Sequence, residues 1–226
     1  MGDRDGARDD AGAPRHRGPR MARDERRAQV LQIAQELFSS EGFHHVSMDD
    51  IAVRAEVSKP VLYRHFPSKL DLYLAVVDQR GAELVAAVDA AVAPLSRGPM
   101  NPGDGRAIVV AVVRAYFTFV DAAGQSSALL FESDVTHDAD VRTRVESASS
   151  QVAETIAVAL GSSTGLSREP ALLLATSLIA MAQGAATHRF RGGSTLGMEE
   201  SVDLVARLCW GGVAGLARDH AAEATA

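Results

Sequence analysis

The chain has 226 residues, 46% hydrophobic and 23% charged, with a formal charge of −6 and one cysteine. That is apolar material for one large domain, or for a small one joined to a larger one, and it excludes an internal disulfide framework. No apolar run reaches the roughly 18 residues of a membrane span, and charges stand where a secretory leader is apolar, so a cytoplasmic protein is expected.

The acidic total argues against a nucleic-acid partner only until the charges are located. Residues 1–80 hold 13 Lys and Arg against 13 Asp and Glu, and the remainder holds 10 against 16. Within the neutral part, Arg15, Arg17, Arg20, Arg23, Arg26 and Arg27 cluster against only Asp24 and Glu25.

Alanine-rich helical periodicity recurs along the chain and alternating β-branched runs are scarce, which predicts an all-α fold. Residues 1–22 carry glycine, proline and charge with almost no apolar side chains, so they cannot offset the entropy of ordering and read as a disordered arm. Its basic end could follow phosphates or enter a minor groove. Arg23 to Ser40 forms a first helix with Val30, Ala34, Leu37 and Phe38 on one face, stopped by Gly42.

Ser47 to Lys69, SMDDIAVRAEVSKPVLYRHFPSK, encodes two short helices and a turn. Ser47 and Asp50 form a capping box, with Val46 and Ile51 as a hydrophobic staple. Ser58 is expected to repeat the device for a second helix, with Val57 and Leu62 as its staple and Pro60 in the first turn, where a missing N–H costs little. Ile51, Ala52, Ala55, Val57, Leu62 and Phe66 turn both helices toward one core, leaving Lys59, Val61, Tyr63, Arg64 and His65 on open flanks. A helix that shows cations and aromatics outward suits a DNA groove. Residues 23–69 therefore read as a DNA-binding domain.

Ser68 caps a bridging helix that runs to about Ala93. Lys69 lies in its first turn, where a cation opposes the helix dipole, and a phosphate contact is the expected reason for it. A loop from Pro94 to Gly105 precedes an apolar helix from Ala107 to Asp121, a short one from Ser127 to Glu132, and long ones from about Val141 to Leu160, Glu169 to Phe190 and Met198 to Ala217. The last two are rich in alanine and glycine, which suits close packing, either on the long helix of the same subunit or, as the favoured reading, with a second copy in a two-fold four-helix interface. Residues 70–226 read as a larger second helical domain that pairs with its copy. Cys209, beside Trp210, reads as a packed thiol.

Enzymatic alternatives find little support. Glu132, Asp134, His137, Asp138 and Asp140 lack the fixed ligand spacing of a metal motif, no serine or cysteine sits in a nucleophile motif, and neither glycine-rich stretch makes a phosphate loop. No metal and no cofactor is expected. An adaptor whose helix pair packs only against protein is the other rival.

From about residue 27 to 80 the sequence resembles the TetR family of bacterial transcriptional regulators. The resemblance rests on Val30-Leu31, Ala34, Leu37-Phe38, Gly42-Phe43, Ser47-Met48, Ile51-Ala52, Val57-Ser58, Leu62-Tyr63, His65-Phe66, Ser68-Lys69 and Leu72 in register. It implies an N-terminal DNA-binding domain, a C-terminal domain that binds a small molecule and dimerises through its last two helices, and a palindromic operator. It also implies phosphate contacts from Ser47, Lys59, Tyr63, His65 and Lys69, with base reading by Lys59, Val61 and Arg64 near Pro60. The family usually has glycine at the position of Pro60 and often at that of Glu56. Glu56 would be strained at positive φ, which a slightly different turn would avoid. The stretch VSKPVLYRHFPSKLDLYLAVV, then LLFESD and Trp210-Gly211-Gly212, is further similar to actinobacterial regulators of fatty-acid synthesis, implying a long-chain acyl-CoA effector. In residues 70–226, the effector-binding and dimerisation domain that the resemblance implies, Tyr116, Phe117, Phe119, Leu129, Leu130, Phe131, Leu178, Ile179 and Met181 are the candidates for lining an apolar channel, with plain core as the alternative. A repressor of an efflux or catabolic operon that senses another hydrophobic ligand is the alternative.

Overall fold

The computed structural model describes residues 23–95, 104–131, 135 and 138–223, with side chains in the last helix up to Gly212. The basic arm, the loop over 96–103, and Glu132, Asp134 and His137 lie outside the described residues. The described residues form α1 (Arg23–Glu41), α2 (Met48–Arg54), α3 (Lys59–His65), α4 (Lys69–Val92), α5 (Asp104–Ala123), α6 (Ala128–Phe131), α7 (Ala139–Thr164), α8 (Arg168–His188) and α9 (Met198–Glu223). They contain no strand, as the periodicity predicts.

The first three helices close around Val30, Ala34, Phe38, Val46, Ile51, Ala55, Leu62 and Phe66, each at most 2% exposed. Two short helices bury too little surface to be stable alone, so α1 supplies the third wall. Gly42 ends α1 at φ 81°, and its amide reaches the Phe38 carbonyl at 3.1 Å. The core extends into α4: Tyr73 is fully buried and packs edge-on against Phe38 and Phe43, at ring distances of 5.2 and 5.0 Å. The sequence division at Lys69 thus falls just before residues that complete the small core, and α4 serves both halves.

Beyond α3, α4 and α7 pack along their length, and α5 lies between α4, α7, α8 and α9. A β-carbon on Gly81 would stand 2.9 Å from the Ala148 β-carbon, so glycine is what lets α4 and α7 approach this closely. Asp138 caps α7, accepting from the Asp140 and Val141 amides, so this member of the acidic loop does a structural job. No cluster of potential metal ligands occurs among the described residues. α8 passes into a single π-helical segment, Arg189–Gly193, pinned to the end of α5 by Arg189, which donates to both Asp121 oxygens at 2.9 Å.

Two sequence expectations need correction. The segments Asp104–Phe131 and Arg168–Gly193 are long and apolar enough, by composition, to cross a membrane, although no such run was expected. α5 earns its apolarity as the central helix of the bundle, with Ile108, Val109, Val112, Val113 and Val120 completely buried. Ser58 caps α3 only through its backbone: its side chain makes no capping hydrogen bond. A capping hydroxyl accepts from the second or third helical amide. Pro60 has no amide to give, and the Val61 amide is taken by the Ser58 carbonyl at 2.9 Å.

Candidate DNA-binding face and effector groove

The turn between α2 and α3 sets the angle at which α3 is presented. Ser47 and Asp50 form the expected capping box: the Ser47 hydroxyl accepts from the Asp50 amide at 3.1 Å, and the Ser47 amide donates to the Asp50 carboxylate at 2.9 Å. These bonds hold the Asp50 carboxyl below its ordinary value. At the other end of α2, the Val57 amide donates to the Ala52 carbonyl at 3.0 Å and the Glu56 amide to that of Val53 at 3.2 Å. This pair of bonds is a Schellman motif, which needs a left-handed residue at the position of Glu56. Glu56 stands at φ 52°, the one non-glycine residue at positive φ among those described, so no alternative turn relieves it. Glu56→Gly is therefore expected to raise stability by about 0.5–1 kcal/mol, the relief of a left-handed β-carbon less the added chain entropy of glycine. Urea unfolding of the two proteins measures this directly.

The expected DNA residues differ in exposure and in how far their polar groups are already engaged. Pro60, Tyr63 and Arg64 are exposed, and Tyr63 is 46% exposed despite its large ring. Val61 and His65 are half-buried, so Val61 offers only part of its methyl surface. The Lys59 ammonium donates to an Asp49 oxygen at 2.7 Å, and that hydrogen bond raises its pKa. Ser47 is exposed, but its hydroxyl already donates to Asp50 at 2.6 Å. Lys69 donates to the Phe43 and Val46 carbonyls at 2.8 and 3.0 Å and lies 4.3 Å from the Phe43 ring centroid. This corrects the view that only a phosphate explains Lys69. Its side chain ties the α1–α2 loop to the start of α4, which sequence spacing does not show because the partners are 26 and 23 residues away.

A basic rim borders this face. The Arg27 guanidinium lies 5.1 Å from the Phe66 ring centroid, and Arg23, Arg27 and Arg64 bear on His65. Desolvation and then these three cations push the His65 pKa below its ordinary value. Because folding depresses it, the stabilising contribution is present above the unfolded pKa and is lost as pH falls through the folded one. A phosphate beside the ring would oppose the shift, as Asp24 already does in part, so DNA association would favour proton uptake. Operator affinity is expected to rise as pH falls from 8 to 6, and His65→Gln to flatten that dependence in mobility-shift titrations.

A cavity of about 910 Å³ forms a groove along α4 and α5. Of the nine expected lining residues, only Phe119 borders it, while Phe131 borders a separate 520 Å³ pocket beside Ser39 and Thr187. Tyr116, Phe117, Leu129, Leu130, Leu178 and Ile179 are buried core. Met181 is 40% exposed on the outer face of α8, with its sulfur 3.9 Å from the buried Cys209 thiol. Burial pushes that thiol pKa up, in keeping with a packed, unreactive cysteine. Large side chains fill space, so the groove follows the small ones: Ala87 and Ala91 on α4, then Ala107, Ala111, Ala115, Thr118 and Ala122 on α5. That stripe of small residues at helical spacing, on a helix otherwise built of large ones, is the signal that a search for large apolar residues overlooks.

Two cations stand at the groove. Arg114 makes a two-pronged ion pair with Glu199, including Nη2 to Oε2 at 2.6 Å, and Arg106 lies 3.8 Å from Asp203. Both carboxylates belong to α9. The outer faces of α8 and α9 carry exposed Leu173, Met181, Leu204 and Leu208, with Leu173 and Leu208 69% and 70% exposed. Gly184, Gly211 and Gly212 have open space where a β-carbon would be.

A family model for bacterial regulatory proteins of the tetR family matches residues 30–76. The chain is 35% identical over 211 residues to the HTH-type transcriptional activator FasR of Mycolicibacterium smegmatis, covering 93% of each protein. It is 42% identical over 65 residues to the HTH-type transcriptional regulator EthR of the same organism, covering 27% of this chain and 30% of that one. A solved TetR-like transcriptional regulator from Rhodococcus sp. RHA1 superposes with a TM-score of 0.67 at 31% identity, over 87% of this chain and 100% of that one. With its helix-turn-helix unit and long helical C-terminal half, the chain belongs to the TetR family of transcriptional regulators, which are not enzymes.

Proposed function

We propose that this regulator works in the cytoplasm as a homodimer on a palindromic operator, and that a long-chain acyl-CoA sets its operator affinity at genes of fatty-acid synthesis. The open face of α3 carries this reading. Pro60, Tyr63 and Arg64 point outward beside Lys59, backed by a buried core that fixes their positions. A single helix pair touches too few base pairs to be selective, so two copies are needed, and the exposed leucines of α8 and α9 supply the surface that joins them.

Groove chemistry supports the effector. An apolar trough lined by alanines accepts a flexible acyl chain, while Arg106 and Arg114 offer cations to an anionic head group. Drawing either arginine from its α9 carboxylate would disturb the helix that faces the second copy, and a ligand that binds the two forms unequally shifts DNA affinity.

Genomic DNA fragments retained by the protein at low salt would identify the operator, and salt titration would test it. Phosphate contacts predict that affinity falls steeply with salt, whereas absence of binding to every fragment would sink the regulator reading. In a mobility shift on the retained fragment, palmitoyl-CoA is expected to change affinity and free CoA to leave it unchanged. Equal behaviour of the two would remove the acyl reading and favour another hydrophobic ligand.

A further inference from the structure

Asp49 is an acidic side chain on the very face that is expected to meet a polyanion. It stands in the first turn of α2, next to Asp50, whose carboxylate closes the capping box, and Met48, which is 8% exposed in the core. Neither job falls to Asp49. Its carboxylate instead crosses the turn to the Lys59 ammonium at 2.7 Å, and the two side chains remain 57% and 60% exposed. A pair this exposed contributes little to stability, and Asp50 already places a carboxylate at the positive end of the α2 dipole. The fold therefore accounts poorly for an aspartate that would repel phosphates.

We propose that Asp49 is a specificity-determining residue of the DNA face, acting as a pair with Lys59; this rests on the DNA-binding reading above. On DNA of arbitrary sequence, the carboxylate opposes the phosphates and keeps Lys59 occupied, so non-specific affinity is held down. On the operator, the pair separates. Lys59 donates to the O6 and N7 acceptors of a guanine, and Asp49 accepts from the N4 amino group of a nearby cytosine, the major-groove donor that a carboxylate is suited to read. The cost of bringing a carboxylate to DNA is offset only where that amino group is present, and this converts a liability into discrimination.

The test uses the full chain and a duplex selected by the wild-type protein from a random-sequence library, with a scrambled duplex as its control. Binding is titrated across salt for wild type, D49N, D49E, K59Q and D49N/K59Q. D49N is expected to raise affinity for the scrambled duplex roughly fivefold and to steepen its salt slope by about one counterion per protomer, as Lys59 is freed for a phosphate. Operator affinity does not rise in parallel, so the ratio of the two falls. Selection by D49N loses its cytosine preference at one position in each half-site and keeps the others. D49E keeps the scrambled duplex weak, and in the K59Q background D49N no longer steepens the slope. An unchanged ratio with an unchanged selected sequence would overturn the proposal, as would a ratio that changes only together with a lowered melting temperature. Failure of the wild-type protein to select any duplex would instead remove the DNA-binding reading on which it rests.

Discussion

Replacing Leu208 with arginine is expected to turn the protein into a monomer and to lower operator affinity by about a hundredfold or more, the gain that joining two half-site contacts otherwise provides. Leu208 is 70% exposed on α9, one turn from Leu204 and beside Gly211 and Gly212, which leave room for close approach. In a two-fold interface each substitution occurs twice, and both guanidiniums would have to be buried without a partner. Arginine is a good helix former, so α9 itself should persist, with circular dichroism unchanged. Light scattering after size exclusion reads the mass directly. A dimer that survives Leu208→Arg with operator affinity intact would rule out this face as the interface, while Leu208→Met should behave as the parent protein.

The second large effect is expected at Lys69. Lys69→Met keeps the apolar stem and removes the ammonium, so the Phe43 and Val46 carbonyls lose their donor and the Phe43 ring loses its cation. Hydrogen bonds from a charged donor to a half-buried loop predict a loss of about 2–3 kcal/mol in urea unfolding. Measured where the variant is still folded, DNA affinity should fall on operator and scrambled duplex alike, because the tie that orients the α1–α2 loop serves every sequence equally. If instead stability is unchanged and affinity alone falls, the side chain acts as a phosphate contact and not as a tie. An intact unfolding midpoint together with intact affinity would remove both roles.

How much of this was legible before folding differs by element. The capping box of Ser47 and Asp50, the helix stop at Gly42 and the buried set of Ile51, Leu62 and Phe66 follow from short-range spacing, and each holds in the structure. Local chemistry misled where one residue had two tasks. Ser58 looks like a side-chain cap until the missing amide of Pro60 is counted, and Lys69 looks explicable by a phosphate alone until carbonyls more than twenty residues away are placed beside it. Of the effector candidates chosen for their apolar side chains, Tyr116, Phe117, Leu129, Leu130, Leu178 and Ile179 are buried in the core, while Phe119 borders the groove, because hydrophobicity alone does not distinguish a lining residue from a packed one.

The sequence by itself determined that the chain is helical, that its first half contains a helix-turn-helix, and which family it belongs to, since helix periodicity and caps depend on residues within one or two turns and the family motif on their fixed order and spacing along the chain. Only the tertiary structure decided that Lys59 is held by Asp49 and that alanines of α4 and α5 line a groove with Arg106 and Arg114 at its edge. Those facts depend on where separate helices come to rest against one another. Helix packing is set by the shapes of many side chains together and by close approaches such as Gly81 on Ala148, and no local pattern in one helix carries that information.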